Sequence, residues 1–140
     1  MSKSIIGCEL NERYIQISYF CEEQQEPLTM ENVVYSTENL YERAIRHESD
    51  EVMRLLKECV EHALQSFEEI GELIFTVPEL NVDVVRMFKG IGQRLGVSKE
   101  HISVQDYRES FCSYMLYQPK ELWQYEAALF HCDRHEVKAY

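Results

Sequence analysis

A run of mostly apolar residues from Ile5 to Leu10 carries Glu9 near its end and is followed directly by Asn11. A strand that delivers a carboxylate and then a tight turn can hold a nucleotide phosphate, provided that the turn contains glycine. Only glycine lets the backbone N–H groups approach a phosphate closely. Asn11 stands where that glycine would be. Because asparagine tolerates the left-handed conformation, we predict that the hairpin forms but that its phosphate cradle is degraded.

A second segment near the end of the chain repeats this pattern in a weaker form. The apolar pair at positions 129 and 130 is followed by His131 and Asp133, and no glycine follows them. His131 stands where a carboxylate would be expected, and Asp133 would bring negative charge against a phosphate. We therefore interpret His131 and Asp133, together with Glu9 and Asn11, as vestiges of two nucleotide-binding turns.

Three other kinds of chemistry are conceivable for residues of this chain, and each has a plainer interpretation. Glu9 could hold Mg²⁺, or it could be a turn residue at the end of a strand. His131, Cys132 and His135 could form a zinc cluster, but a fourth ligand is not evident and a solvated turn explains them. Cys112 could be a nucleophile, but no oxyanion motif accompanies it, and a packed thiol explains it. We predict no catalytic residue, no metal and no cofactor.

Composition limits the possible partners and the compartment. The 140 residues fit a single domain spanning the whole chain, and 25 acidic against 14 basic residues give a net charge of -11. Such a charge repels nucleic acid and anionic membranes. No apolar run approaches the length of a membrane helix, and Glu9 comes too early for a signal peptide. Five scattered cysteines without a C-x-x-C pair indicate reduced, mostly buried thiols. We expect a cytoplasmic protein.

The first half of the chain predicts a β-rich start. Ile5 to Leu10 and Tyr14 to Phe20 are rich in β-branched and aromatic residues and should form a hairpin. Leu28 to Tyr35 could supply a third strand at the edge. The charged stretch from Thr37 to Ser49 leaves two alternatives, a short helix around Leu40 to Ile45 or a surface insertion.

The most regular pattern is an apolar stripe from Val52 to Ile70, which predicts an amphipathic helix ended by Gly71. Leu73 to Val77 is a near-continuous apolar run that predicts a central strand, so the core should form between this helix and this strand. The next predicted element is a helix capped by Asn81 and ending at Gly96, in which Gly90 and Gly92 suggest close packing. A strand at His101 to Val104 follows, and then a helix that starts at Asp106, ends by Pro119 and carries Cys112 on an apolar face. The last element is a hairpin formed by Trp123 to Phe130 and Glu136 to Tyr140.

The predicted order is β-β-β-α-β-α-β-α-β-β, which implies an α/β fold in which helices pack on a mixed sheet. This order and three segments resemble the amino-terminal subdomain of the actin-like ATPases, the superfamily of actin, heat-shock chaperone ATPases, sugar kinases and the bacterial cell-division and pilus-assembly actins. The segments are Ile6 to Asn11, Ile74 to Ser110 with its Val77-Pro78 strand end, and Leu129 to His131. The resemblance implies a ribonuclease H-like sheet and, in intact relatives, an ATP site.

The resemblance also shows what is missing, because the half of the family fold that supplies the adenosine pocket does not fit in this length. We therefore predict a non-catalytic actin-like domain that serves protein–protein interaction or assembly. Its partner would be another protein or the remaining domains of a longer chain. The alternative is an ATP- and Mg²⁺-binding ATPase lobe completed by a missing downstream domain. The sequence does not indicate the oligomeric state.

Aromatic residues mark a candidate partner surface. Tyr107, Tyr114, Tyr117, Trp123 and Tyr125 cluster around one predicted helix and the strand after it. Aromatic side chains at this density often anchor protein partners. The alternative is that they fill the core and cover the sheet.

Overall fold

The computed structural model describes residues 4–21, 28–29, 34–35, 39–46, 49–64, 70–116, 118–119, 128, 130–132 and 137–139. The strands are β1 (Ser4–Leu10), β2 (Tyr14–Cys21), β3 (Leu28–Thr29), β4 (Val34–Tyr35), β5 (Ile70–Val77), β6 (Ile102–Asp106), β7 (Phe130–Cys132) and β8 (Val137–Ala139). The helices are α1 (Leu40–Ile45), α2 (Ser49–Leu64), α3 (Val82–Arg94) and α4 (Tyr107–Leu116), with a short 3-10 helix at Lys99–His101.

One mixed sheet organises the fold. Its strand order is β3-β2-β1-β5-β6, and β4 pairs with the other part of β2. The β1–β2 pair is antiparallel, whereas β1 with β5 and β5 with β6 are parallel. The carboxyl ends of β1, β5 and β6 therefore meet at one edge. The structure is a mixed α/β fold, as the sequence predicts.

Strand β1 shows how the sheet separates its two faces. Ile6, Cys8 and Leu10 are each at most 1% exposed and belong to a single apolar core, while Gly7 and Glu9 point to the opposite face. The core face is covered by helices, with α2 against β2 and α1, and α3 against β6. Helix α4 lies against the ends of β5 and β6 on the other face.

Two predicted helix caps are confirmed. Asn81 Oδ1 accepts a hydrogen bond from the backbone N–H of Val84 at 2.9 Å. Asp106 Oδ1 accepts one from the backbone N–H of Glu109 at 2.8 Å. Each bond satisfies a backbone donor that the first helical turn leaves without a partner. The second cap fixes where α4 begins, and therefore where Tyr107 is placed.

The predicted end of the long helix is wrong. The helix was expected to reach Ile70 and stop at Gly71, but α2 ends at Leu64, and both residues belong to β5, where Ile70 pairs with Ser4. An isoleucine at position 70 fits the helical stripe and the strand equally well, and pairing with β1 decides the outcome. Helix α2 lies against β2 and α1, and its buried Leu56 belongs to the same apolar core as Leu73 and Phe75 of β5.

The stretch that left two alternatives forms a helix. In α1, Leu40, Tyr41 and Ala44 are buried, and the phenol of Tyr41 donates to the backbone oxygen of Glu79 at 2.7 Å. In the stretch from 28 to 35, where a third strand was expected, the described residues form β3 and β4, and both pair antiparallel with β2.

Three smaller expectations also need correction. Cys112 is exposed rather than packed on an apolar face, although Cys8 is buried. The structure places His131 and Cys132 inside strand β7, not in a turn. Close packing holds for only one of the two glycines in α3: a Cβ on Gly92 would lie 2.6 Å from Ile102 Cδ1, whereas one on Gly90 would meet nothing within 4 Å.

Within the described residues, no helix is long and apolar enough to cross a membrane.

Candidate functional site

The turn between β1 and β2 is closed by the side chain of Asn11. Its Oδ1 accepts hydrogen bonds from the backbone N–H groups of Arg13 at 2.8 Å and Tyr14 at 2.9 Å. The backbone N–H of Asn11 itself donates to the carbonyl of Tyr14 at 3.2 Å. Asparagine commonly closes turns in this way, because its short amide can take the place of a backbone acceptor. The N–H groups that a phosphate would need in this turn already have an acceptor.

The carboxylate of Glu9 is held by two phenols. Its Oε1 accepts hydrogen bonds from Tyr14 at 3.0 Å and from Tyr107 at 2.9 Å. Glu9 is the second-last residue of strand β1, Tyr14 is the first residue of β2, and Tyr107 is the first residue of α4. The parallel order of β1, β5 and β6 explains this meeting, because it brings the end of β6 to the same sheet edge as the end of β1.

The surroundings keep the Tyr107 phenol protonated. Burial raises the pKa of Tyr107 most, and the nearby negative charge of Glu9 and the hydrogen bond to it raise the pKa further, although Asn11 acts in the opposite direction. A phenol with a raised pKa remains a hydrogen-bond donor at any physiological pH. Tyr107 is therefore a hydrogen-bond donor to Glu9 at physiological pH.

A second group of hydrogen bonds fixes α4 on the sheet beside this carboxylate. The hydroxyls of Thr76 on β5 and Ser110 on α4 lie 3.0 Å apart, and Gln105 Nε2 on β6 donates to Ser110 Oγ at 2.8 Å. One hydroxyl of the helix is thus tied to two adjacent strands. This arrangement holds the first turns of α4 against the ends of β5 and β6.

An open cleft of about 480 Å³ lies between α4 and the face of β1 and β2 that is turned away from the core. Gly7 and Glu9 line it from β1, and four aromatic residues line it as well, namely Tyr14, Tyr107, Phe111 and Tyr114. Among the described residues that line the cleft, Glu9 alone carries a charge. The cleft therefore combines one negative charge, four aromatic rings and neutral hydroxyl and amide groups.

The structure brings together part of the predicted nucleotide site. Glu9 and Asn11 lie at the same turn, but His131 is on β7, which pairs with β8 in a separate two-stranded sheet. Asp133 lies outside the described residues, as does His135 of the zinc alternative. Within the described part of the chain, no group of three or more His, Cys, Asp or Glu side chains is placed to hold a metal ion.

The predicted partner surface is also placed only in part. Tyr107 and Tyr114 both line the cleft, and Tyr114 is 61% exposed. Tyr117, Trp123 and Tyr125 lie outside the described residues. Tyr14 is a site residue that the sequence pattern did not single out. An aromatic hydroxyl three positions after Asn11, at the start of the return strand, was the available signal.

Comparison with known proteins gives a family but no activity. A protein-family model described as "Family of unknown function (DUF5716) C-terminal" matches residues 18–140. No curated protein matches the sequence. Among solved structures, the PPX-GPPA enzyme of Aquifex aeolicus is similar over 76% of this chain and 36% of its own, with a TM-score of 0.43 and 10% sequence identity. The chain thus spans well under half of that enzyme.

Proposed function

The chain belongs to the C-terminal part of this family of unknown function, and from that premise we propose that it is a non-catalytic domain of the actin-like type that serves protein–protein contact. It binds a protein partner or another part of a longer chain and does not hydrolyse nucleotide. The resemblance of its strand and helix order to the actin-like ATPases supports the choice of fold type. A hairpin followed by parallel strands with helical crossovers agrees with that resemblance.

The observation that carries the proposal is the side chain of Asn11 in the first turn. Its Oδ1 occupies the backbone N–H groups of Arg13 and Tyr14 at 2.8 and 2.9 Å. A phosphate would have to displace this internal acceptor. Because Asn11 is part of the chain, its side chain does not lose the translational and rotational freedom that a separate phosphate loses on binding. The same turn with glycine would leave these donors for a ligand.

The two phenols on Glu9 also oppose a metal–nucleotide role. Mg²⁺ demands near-ideal octahedral geometry and usually binds through one or two carboxylates, water and substrate phosphates. Both Tyr14 and Tyr107 donate to Oε1 of Glu9, so a metal ion approaching that oxygen would have to replace two hydrogen bonds. The alternative, an ATP- and Mg²⁺-binding lobe, keeps one observation in its favour, which is that Glu9 lines an open cleft.

Calorimetric titration with ATP and Mg²⁺, carried out on the 140-residue chain and on the longest natural protein that contains it, separates the two functions. We expect no affinity tighter than about millimolar, which corresponds to ~−4 kcal/mol. The variant carrying Asn11→Gly together with His131→Asp should also lack ATPase activity, because it restores neither a second glycine turn nor an adenosine pocket. A dissociation constant of about ten micromolar or tighter that is lost in Glu9→Ala would overturn the proposal.

A further inference from the structure

We propose that the cleft between α4 and the β1–β2 hairpin receives an arginine side chain from the protein partner. This inference rests on the proposed protein contact and gives the chemistry of its central residue. The cleft is a pocket of about 480 Å³ on the sheet face turned away from the core, and it carries the charge, aromatic rings and space that a guanidinium group requires.

The charge of the cleft selects a cation. Among its described lining residues, Glu9 is the one charged group, and neither lysine nor arginine lines it. The whole chain has a net charge of -11, so positively charged segments are attracted over a distance as well. An anion would meet Glu9 directly and would find Asn11 Oδ1 already on the nearest turn N–H groups.

The hydrogen bonds on Glu9 leave it suited to a guanidinium. Tyr14 and Tyr107 both donate to Oε1, so these bonds hold the carboxylate in one orientation. Arginine presents several N–H donors in a planar fork and binds carboxylates in a fixed geometry. A carboxylate that is already oriented loses less freedom when such a partner binds.

The aromatic rings favour arginine over lysine. Tyr14, Tyr107, Phe111 and Tyr114 all line the cleft. A guanidinium group stacks on aromatic faces and is more weakly hydrated than an ammonium group, so it gives up less when it leaves water. The rings and the carboxylate therefore act on the same planar cation.

Gly7 leaves the space at the base of the cleft open. It lies on β1 two residues before Glu9 and faces the same side of the sheet. A Cβ placed on Gly7 would lie 3.8 Å from the backbone oxygen of Ser18, an ordinary contact distance. The absence of a side chain here is thus not imposed by neighbouring atoms, and a larger side chain can be introduced to fill the cleft.

The test uses three capped pentapeptides: Gly-Gly-Arg-Gly-Gly, the same peptide with citrulline in place of arginine, and the same peptide with lysine in that place. Citrulline has nearly the same shape but no charge. Binding to the ¹⁵N-labelled 140-residue chain is followed by NMR. We expect the arginine peptide to bind about tenfold tighter than the citrulline peptide, to weaken with added salt, and to shift the amides of Gly7, Glu9 and Tyr107.

Four variants locate the site. Glu9→Gln, which keeps an acceptor for both phenols, should weaken the arginine peptide about tenfold, and Tyr114→Leu should weaken it about two- to fivefold. Gly7→Val should weaken it by filling the cleft. Leu116→Ala is the matched control, because Leu116 is exposed on the same helix but does not line the cleft, and it should change nothing. The NMR spectrum of each variant reports whether it is folded.

Three results would overturn the inference. These are equal binding of the arginine and citrulline peptides, arginine binding that Glu9→Gln leaves unchanged, and tighter binding of a lysine peptide than of the arginine peptide. None of these results would refute the proposed function, because that function is tested by the ATP titration. Conversely, micromolar ATP binding would refute the proposed function whatever the peptides do.

Discussion

The phenol of Tyr107 donates a 2.9 Å hydrogen bond to Oε1 of Glu9, although the two residues are 98 positions apart in the chain. The bond joins the first residue of α4 to the end of β1, and it forms only when β1, β5 and β6 are aligned in parallel. It therefore depends on the completed sheet edge rather than on any local element. The same carboxylate oxygen also accepts from Tyr14, which is only 5 positions away.

Removing either phenol should destabilise the protein. Tyr107→Phe and Tyr14→Phe each delete a hydrogen bond to a charged group, and each should cost about 1–3 kcal/mol in denaturant titration. Each single variant leaves Glu9 with the other phenol, whereas the double variant leaves neither. We therefore expect the double variant to lose more than the sum of the two single losses. Tyr114→Phe, at a 61% exposed position, is the control. Strict additivity would show that the two phenols act independently.

The core under α2 should depend strongly on Leu56. This side chain is 0% exposed and belongs to the cluster that also contains Leu73 and Phe75. Leu56→Ala should lower the free energy of unfolding by about 2–5 kcal/mol through lost burial and the cavity that remains. Val82→Ala is the comparison, because Val82 is 73% exposed and should change stability by less than about 0.5 kcal/mol. A Leu56→Ala loss as small as that of Val82→Ala would contradict this placement of α2.

The two glycines of α3 should respond in opposite directions to alanine. A Cβ at position 92 would lie 2.6 Å from Cδ1 of Ile102, which is itself buried, so Gly92→Ala should destabilise the protein. A Cβ at position 90 would meet nothing within 4 Å, so Gly90→Ala should stabilise the helix by up to about 1 kcal/mol. Thermal melts of the two variants give the comparison directly. If both variants melt higher than the wild type, α3 does not approach β6 as closely as the structure has it.

Stability should fall at alkaline pH. Burial, followed by the charge of Glu79, raises the pKa of Tyr41 from 10.0 to about 12. Below pH 10 the phenol is protonated in both the folded and the unfolded chain, so this contribution is complete there. As the pH rises from 10 to 12, the unfolded chain loses the proton first, and the free energy of unfolding decreases. The raised pKa of Tyr107 acts in the same direction.

The variant Tyr41→Phe isolates this effect. It should be less stable than the wild type at about pH 8, because the carbonyl of Glu79 loses its donor at 2.7 Å. The free energy of unfolding of the variant should then decrease less steeply above pH 10 than that of the wild type. Urea titrations of both proteins from about pH 8 to 12 measure the two pH dependences. Parallel pH profiles for the two proteins would exclude Tyr41 as a source of the decline.

The elements with a strong local signal could be predicted from the sequence. The apolar run from Leu73 to Val77 is a central strand, and the caps at Asn81 and Asp106 begin α3 and α4 as expected. Each of these signals lies within a few residues of the feature that it predicts. The end of α2 could not be located, because an apolar Ile70 satisfies a helical stripe and a strand alike.

Only the part of the candidate site that lies within one hairpin could be predicted from the sequence. Asn11 and Glu9 could be recognised as a modified turn, since both lie in one hairpin. The contact between Glu9 and Tyr107 depends on how β1, β5 and β6 are ordered in space, which periodicity does not report. The contact between the hydroxyls of Thr76 and Ser110 likewise depends on the arrangement of β5 and α4, because the two residues are 34 positions apart in the chain.

The alternation of residues along β1 gives the strand two separate evolutionary constraints. Ile6, Cys8 and Leu10 face the core, where almost any change of size costs stability. Gly7 and Glu9 face the cleft, where a change alters the lining of the cleft, although loss of the Glu9 carboxylate also removes the acceptor of both phenols. In a library of all single substitutions in β1, tolerance should therefore rise and fall with a period of two residues. In the proposed role, such a strand would let the binding surface change while the fold persists.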